Sequence, residues 1–274
     1  MKITFAHSPD CDDAFMFYGI ACGAIDTGNF IIEQVTKDIE TLNQEAKQGK
    51  YDITAISFAA YPVLADRYML MPCGASFGLQ YGPIVLAKDD TLAQSLAGAT
   101  IAIPGDMTTA YLLLRLYTKP MKVITMPFQE IIPAVLKGEA EAGLIIHEGQ
   151  LTYGETGLTK MIDLGQWWHQ ETNLPLPLGG NAVKRDLGEQ AIVGLTRIVS
   201  QSIKYALANK DEALKYAKRF AGHMAESLVE RYVKMYVNEM SVDCGEAGRL
   251  AVKKLFQMAA QKQITESEFE SVFM

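Results

Sequence analysis

Tyr81-Gly82-Pro83-Ile84-Val85-Leu86-Ala87-Lys88-Asp89 has a counterpart later in the chain, Leu178-Gly179-Gly180-Asn181-Ala182-Val183-Lys184-Arg185-Asp186. Each stretch carries glycine, runs apolar and closes on basic and acidic residues. Such segments suit a chain that passes from one packed layer to another. We read them as two crossovers between lobes, with residues 89–184 an inserted smaller lobe and residues 1–88 plus 185–274 the larger one. The length of 274 residues agrees, because chains longer than one ordinary core tend to divide.

Outward from these segments the pattern is α/β. Lys2–Ala6, Phe30–Val35, Ile53–Ser57, Ile84–Ala87, Thr100–Pro104, Lys122–Met126 and Ala142–Ile146 are short apolar runs that read as strands. Amphipathic stretches separate most of them, clearest at Ile39–Lys47, Thr108–Tyr117 and Phe128–Lys137, with Gly138 as a C-terminal stop. Alternation of this kind predicts mainly parallel sheets. The tail differs: Leu187–Asn209, Lys210–Phe220, Ala225–Tyr236 and Glu246–Gln261 are helical patterns with no strand between them. The stripe Ile192, Leu195, Val199, Ile203, Ala206 and Leu207 is expected to pack into a core.

Composition narrows the partners. Hydrophobic residues at 49% and charged residues at 21% describe a globular chain. A net charge of −7 without a long basic run gives no footprint for nucleic acid or an anionic membrane, so a small molecule is the expected partner. The N-terminus runs into a strand without a signal-peptide pattern, and no window has 18 uninterrupted apolar residues. A cytoplasmic location is expected. Cys11, Cys22, Cys73 and Cys244 lack CxxC spacing and are expected to be buried or free thiols. His7, His169 and His223 lack metal-ligand spacing, and there is no GxGxxG, P-loop or GxSxG motif.

Ligands of open α/β sheets bind beyond the carboxyl ends of the strands, which singles out three loops. In His7-Ser8-Pro9-Asp10-Cys11-Asp12-Asp13, Asp12 or Asp13 would cap a helix starting near Ala14, and Ser8 could meet substrate. In Pro104-Gly105-Asp106-Met107-Thr108-Thr109-Ala110, the N–H groups and hydroxyls of Thr108, Thr109 and Ala110 would make a carboxylate or phosphate site, or Thr108 would simply cap a helix. Ala142-Gly143-Leu144-Ile145-Ile146-His147-Glu148 ends a buried strand on a titratable pair. There His147 is placed either for proton transfer or as a structural histidine.

Taken together, several segments resemble the 1,4-dihydroxy-6-naphthoate synthase family of the futalosine route to menaquinone. They are Ser8-Pro9 with Asp13 and Phe15, Asp38-Ile39-Glu40-Thr41-Leu42-Asn43, Thr108-Thr109-Ala110-Tyr111, Glu141 to Glu148, and Leu174-Pro175-Leu176-Pro177-Leu178-Gly179. The similarity extends through nearly the whole chain to Tyr236-Val237-Asn238. It implies a fold like the type 2 periplasmic binding proteins, two lobes closing on a ligand. The implied activity is a lyase that converts cyclic dehypoxanthinylfutalosine to 1,4-dihydroxy-6-naphthoate without cofactor or metal, driven by formation of an aromatic ring. By the same resemblance His147 would be the general base, and Thr108–Ala110, Ser57, Asn43 and Ser8 would contact an anionic small-molecule substrate. A homodimer is also among its implications. The first loop departs from the pattern, because Ser-Pro-Cys-Pro-Asn-Asp-Thr-Phe is replaced by Ser8-Pro9-Asp10-Cys11-Asp12-Asp13-Ala14-Phe15. Asp10 and Asp12 thereby add negative charge where an anion would approach. Two other functions stay open at this point: chorismate dehydratase of the same pathway, and a non-catalytic solute-binding protein on the same fold.

Overall fold

The computed structural model describes residues 1–88, 96–118, 121–222, 224–265 and 273. Asp89 and His223 lie outside the described residues. The strands, in chain order, are β1 (Lys2–His7), β2 (Ile31–Thr36), β3 (Ile53–Ser57), β4 (Tyr68–Leu70), β5 (Ser76–Gly78), β6 (Ile84–Ala87), β7 (Thr100–Ile103), β8 (Lys122–Thr125), β9 (Ala142–Ile145), β10 (Thr159–Asp163) and β11 (Leu176–Lys184). They form two sheets. One has the order β2-β1-β3-β11-β4, with β5 also on β11, and the other the order β10-β6-β9-β7-β8.

Each sheet is mixed, which corrects the expectation of mainly parallel pairing. β1 runs parallel to β2 and β3, and β7 parallel to β8 and β9. The antiparallel members are those beside the crossovers: β11 against β3, β4 and β5, and β6 against β9 and β10. A strand that enters a lobe from the other one has no βαβ crossover to set its direction, so it is free to pair antiparallel.

Those same strands move the expected lobe boundaries. β6, which a boundary at residue 88 leaves with the first lobe, is hydrogen-bonded in the second sheet: Val85 faces Leu144. β11, expected in the insertion, is central to the first sheet, where Gly179 faces Ser57 and Ala182 faces Leu70. The chain crosses outward between β5 and β6 and returns between β10 and β11. The two passages touch. Leu164 N–H donates to the Pro83 carbonyl at 2.9 Å, and a Cβ at Gly165 would collide with the Tyr81 carbonyl, so only glycine fits there.

The helices follow their sequence signals. Asp38 caps Ile39–Lys47 by accepting from Thr41 N–H at 3.0 Å. Gly138, in the left-handed region at φ 81°, ends Phe128–Lys137. Ile192, Leu195, Val199, Ile203 and Ala206 of the helix Glu189–Ala208 are buried with Ile3 and Phe5 of β1, so the stripe is core packing. The largest apolar cluster joins the sheets, running from Ile56, Phe58 and Phe77 to Val85, Ile101, Leu113 and Trp168. Cys11, Cys73 and Cys244 are buried thiols and Cys22 an exposed one. No helix among the described residues is long and apolar enough to cross a membrane.

Candidate active site

The carboxyl ends of β1, β3, β7 and β9 open on one cleft that encloses about 760 Å³ of empty space, part of it open to solvent. His147, Ser8, Ser57, Thr108, Thr109 and Ala110 all line it. Asn43 does not: it is fully buried behind the wall, correcting its assignment to substrate. Its Nδ2 donates to Ser57 Oγ at 3.1 Å and its Oδ1 accepts from Ser57 N–H at 2.8 Å, so it fixes the Ser57 hydroxyl.

The loop after β7 presents backbone N–H groups to the cleft, while its hydroxyls are used within the protein. Thr108 is the N-cap, its Oγ1 accepting from Tyr111 N–H at 3.2 Å and donating to the Gly105 carbonyl at 2.8 Å. Thr109 Oγ1 accepts from Ala59 N–H at 3.1 Å and donates to the Leu178 carbonyl at 2.5 Å. Both hydroxyls are therefore committed within the protein. The N–H groups of Thr109 and Ala110 lie in the first turn of the helix Thr109–Tyr117, where no intrahelical acceptor exists. The helix dipole adds to their pull on a carboxylate.

His147 lines the same cleft. It follows β9 after one residue, and its φ of 60° places a non-glycine residue in the left-handed region, a conformation that costs roughly 1 kcal/mol or more. The turn carries the imidazole across to the first loop, where Nδ1 lies 2.6 Å from Asp10 Oδ2. Phe128 packs on the ring with centroids 4.2 Å apart. Nε2 is buried and has no hydrogen-bond partner among the described residues.

The first loop is arranged differently from its expected capping. The helix runs over Cys11–Met16 with Asp10 at its N-cap, and Asp10 makes no side-chain cap bond. Ser8 Oγ donates to the Asp10 carboxylate, and Ser8 N–H donates to Asp13 Oδ2 at 2.8 Å. Neither Asp12 nor Asp13 caps the helix.

Electrostatics sort these acids. Burial pushes the His147 imidazole toward neutrality, but the Asp10 carboxylate, then Glu148 and Asp12, outweigh it and lift the pKa to about 9. Burial works against Asp10 too, yet the His147 charge and hydrogen bond, with Ser8, hold it below the usual carboxylate range. Burial and the neighbouring Asp10 raise Asp12 to about 7, and burial with Asp12 and Asp10 raises Asp13 well above that of an ordinary carboxyl. The extra charge expected from this loop is thus reduced: Asp10 is paired with His147, and the raised pKa of Asp12, about 7, leaves it only partly ionised at neutral pH.

The tail helix Glu226–Tyr236 closes the cleft with Tyr232 and Tyr236, whose rings stack edge-on at 5.0 Å. Tyr236 Oη donates to Gln150 Oε1 at 2.8 Å, bridging the tail to the short helix Gly149–Thr152 that follows His147. Asp10, Gln150, Tyr232 and the backbone of Gly179 and Gly180 are lining residues that the sequence reading did not assign. The spacing of Tyr232 and Tyr236 on one helical face was the available signal for that pair. Among the described residues no cluster of His, Cys, Asp and Glu is arranged to hold a metal ion.

Two α/β lobes around a cleft of this kind define the class of periplasmic-binding-protein-like folds. A ligand-binding component of an ABC-type import system from Staphylococcus aureus superimposes with a TM-score of 0.76, covering 100% of this chain and 96% of that one, at only 10% identity. Within the class the chain belongs to the menaquinone biosynthesis family, whose model matches residues 3–261. It is 42% identical to a 1,4-dihydroxy-6-naphthoate synthase of Thermus thermophilus, covering 92% of each chain. It is 35% identical to one of Streptomyces coelicolor over 94% of this chain and 93% of the other. A crystal structure of a protein from Archaeoglobus fulgidus matches with a TM-score of 0.92 and 45% identity, covering 96% of this chain and 98% of that chain.

Proposed function

We propose that this chain is a 1,4-dihydroxy-6-naphthoate synthase, a lyase that converts cyclic dehypoxanthinylfutalosine to 1,4-dihydroxy-6-naphthoate with His147 as general base. Similarity to two synthases over nearly the whole chain supports the reaction. The observation that carries the base assignment is His147 Nε2, buried, without a partner among the described residues and on the wall of the cleft. Once the imidazole is neutral, a nitrogen in that state can accept the proton of a substrate C–H.

The substrate carboxylate would sit on the Thr109 and Ala110 N–H groups, with Ser57 Oγ as a second polar contact held by Asn43. Closure of the lobes then excludes water and brings a carbonyl-activated proton to Nε2. Loss of that proton starts the elimination, and aromatisation of the new ring drives it forward. The free thiols suit the reducing cytoplasm, where we place the enzyme.

The test is turnover by the purified protein, offered cyclic dehypoxanthinylfutalosine and chorismate in separate reactions. Release of 1,4-dihydroxy-6-naphthoate from the first alone is expected. Turnover of chorismate alone would make the protein a dehydratase instead. Binding of both without turnover would reduce it to a binding protein.

A further inference from the structure

We propose that Asp10 is the positioning residue of the base, its carboxylate accepting the His147 Nδ1 proton so that Nε2 is the nitrogen presented to substrate. The inference rests on the reading of His147 as base and adds a residue to it. Four observations lead there. The Oδ2 to Nδ1 distance is 2.6 Å, with both side chains only about a tenth exposed, so water competes weakly for either partner. Asp10 occupies the N-cap of Cys11–Met16 yet makes no cap hydrogen bond, although capping is the ordinary use of aspartate there. Its Oδ2, the oxygen that meets His147, instead also accepts from the Ser8 hydroxyl, while Asp10 N–H donates to Ser8 Oγ at 3.1 Å. Finally, His147 adopts its left-handed backbone at the point where the ring must turn toward Asp10.

The pair also joins the two lobes, since Asp10 follows β1 of the first sheet and His147 follows β9 of the second. The hydrogen bond exists only while the lobes are together. The base is therefore oriented by closure, and an open cleft leaves the imidazole free to rotate. Other charged groups face the imidazole as well: Asp12 and Asp13 from the helix after β1, and Glu148 beside it. Asp10 alone is in hydrogen-bond contact with it among these.

The experiment uses the full chain with 15N-labelled histidine; the four histidines allow His147 to be assigned from the resonances lost in His147→Asn. In the wild type, the neutral imidazole above pH 10 is expected to carry its proton on Nδ1. In Asp10→Asn the His147 midpoint should fall by about one unit or more. The acid limb of kcat/KM should move down by the same interval, and kcat should drop about tenfold or more while KM changes less than about threefold. Asp10→Glu should recover part of kcat. Should Asp10→Asn fail to fold, the wild-type tautomer decides alone, and an Nε2–H imidazole titrating near an ordinary histidine overturns the proposal. An unchanged midpoint, profile and kcat in a folded Asp10→Asn overturns it equally. The tautomer and titration need no substrate, so absence of synthase activity would sink the function without touching this pair.

Discussion

At the scale of single residues the cleft is a balance between burial and charge. His147 is the base we propose, yet its pKa of about 9 means that only about one molecule in a hundred holds it deprotonated at pH 7. Activity limited by the free imidazole should therefore climb between pH 7 and pH 9, as a kcat/KM profile would show; a profile flat over that range contradicts the assignment. The ion pair has its own stability window. His147, raised in the folded state, stabilises fully below its ordinary value, and this is lost as pH rises through about 9. Asp10, lowered, stabilises above the ordinary carboxyl range, and this is lost as pH falls through its folded value. Asp13 has the opposite sign: an acid raised by burial costs stability increasingly as pH climbs past the ordinary carboxyl range. Asp13→Asn should raise the Tm at pH 8 and leave it nearly unchanged at pH 4, measured by calorimetry. His147 was legible in the sequence because it ends an apolar strand. Its partner was not, since no local pattern reveals that two residues so distant in the chain meet, and Asp10 showed only as an added charge.

At the scale of elements, periodicity found the strands whose runs are apolar and the helices whose stripes are long. β4 and β5, three residues each, carry too little pattern to be seen, and β10 (Thr159-Lys160-Met161-Ile162-Asp163) barely alternates. β11 was hidden by Pro177, which sits where the register with β5 shifts. Asn43 lies within a correctly read helix, and only tertiary packing decides that its amide points at Ser57 rather than at ligand. Two contacts between elements make the closed cleft testable. Thr109→Val strands the Ala59 N–H and the Leu178 carbonyl and should cost about 1–3 kcal/mol in urea unfolding. Tyr236→Phe removes the bridge to Gln150, a net loss of about 1 kcal/mol, and should speed ligand release about fivefold in stopped-flow experiments. An unchanged release rate would mean that this bridge does not hold the cleft shut.

At the scale of the whole molecule, two lobes were readable from length and from the paired glycine-bearing segments, but their edges were not. The outward crossing, residues 79–83, falls at the start of the first quoted stretch, whereas the return, which includes the helix Leu164–Thr172, ends before the second stretch begins, because β11 already starts at Leu176. The apolar cluster that joins the sheets was equally out of reach, since burial between lobes leaves no period in either. What the fold contributes to function is convergence. Four strand ends bring backbone N–H groups, a hydroxyl and a paired imidazole to one cleft, and the tail helix adds a tyrosine wall.

The measurement that bears most directly on this account is single turnover of cyclic dehypoxanthinylfutalosine by His147→Asn beside the wild type, with substrate affinity determined in parallel. The account predicts that the variant binds with affinity within about tenfold of wild type and forms no 1,4-dihydroxy-6-naphthoate. Product formed by the variant at the wild-type rate would contradict it.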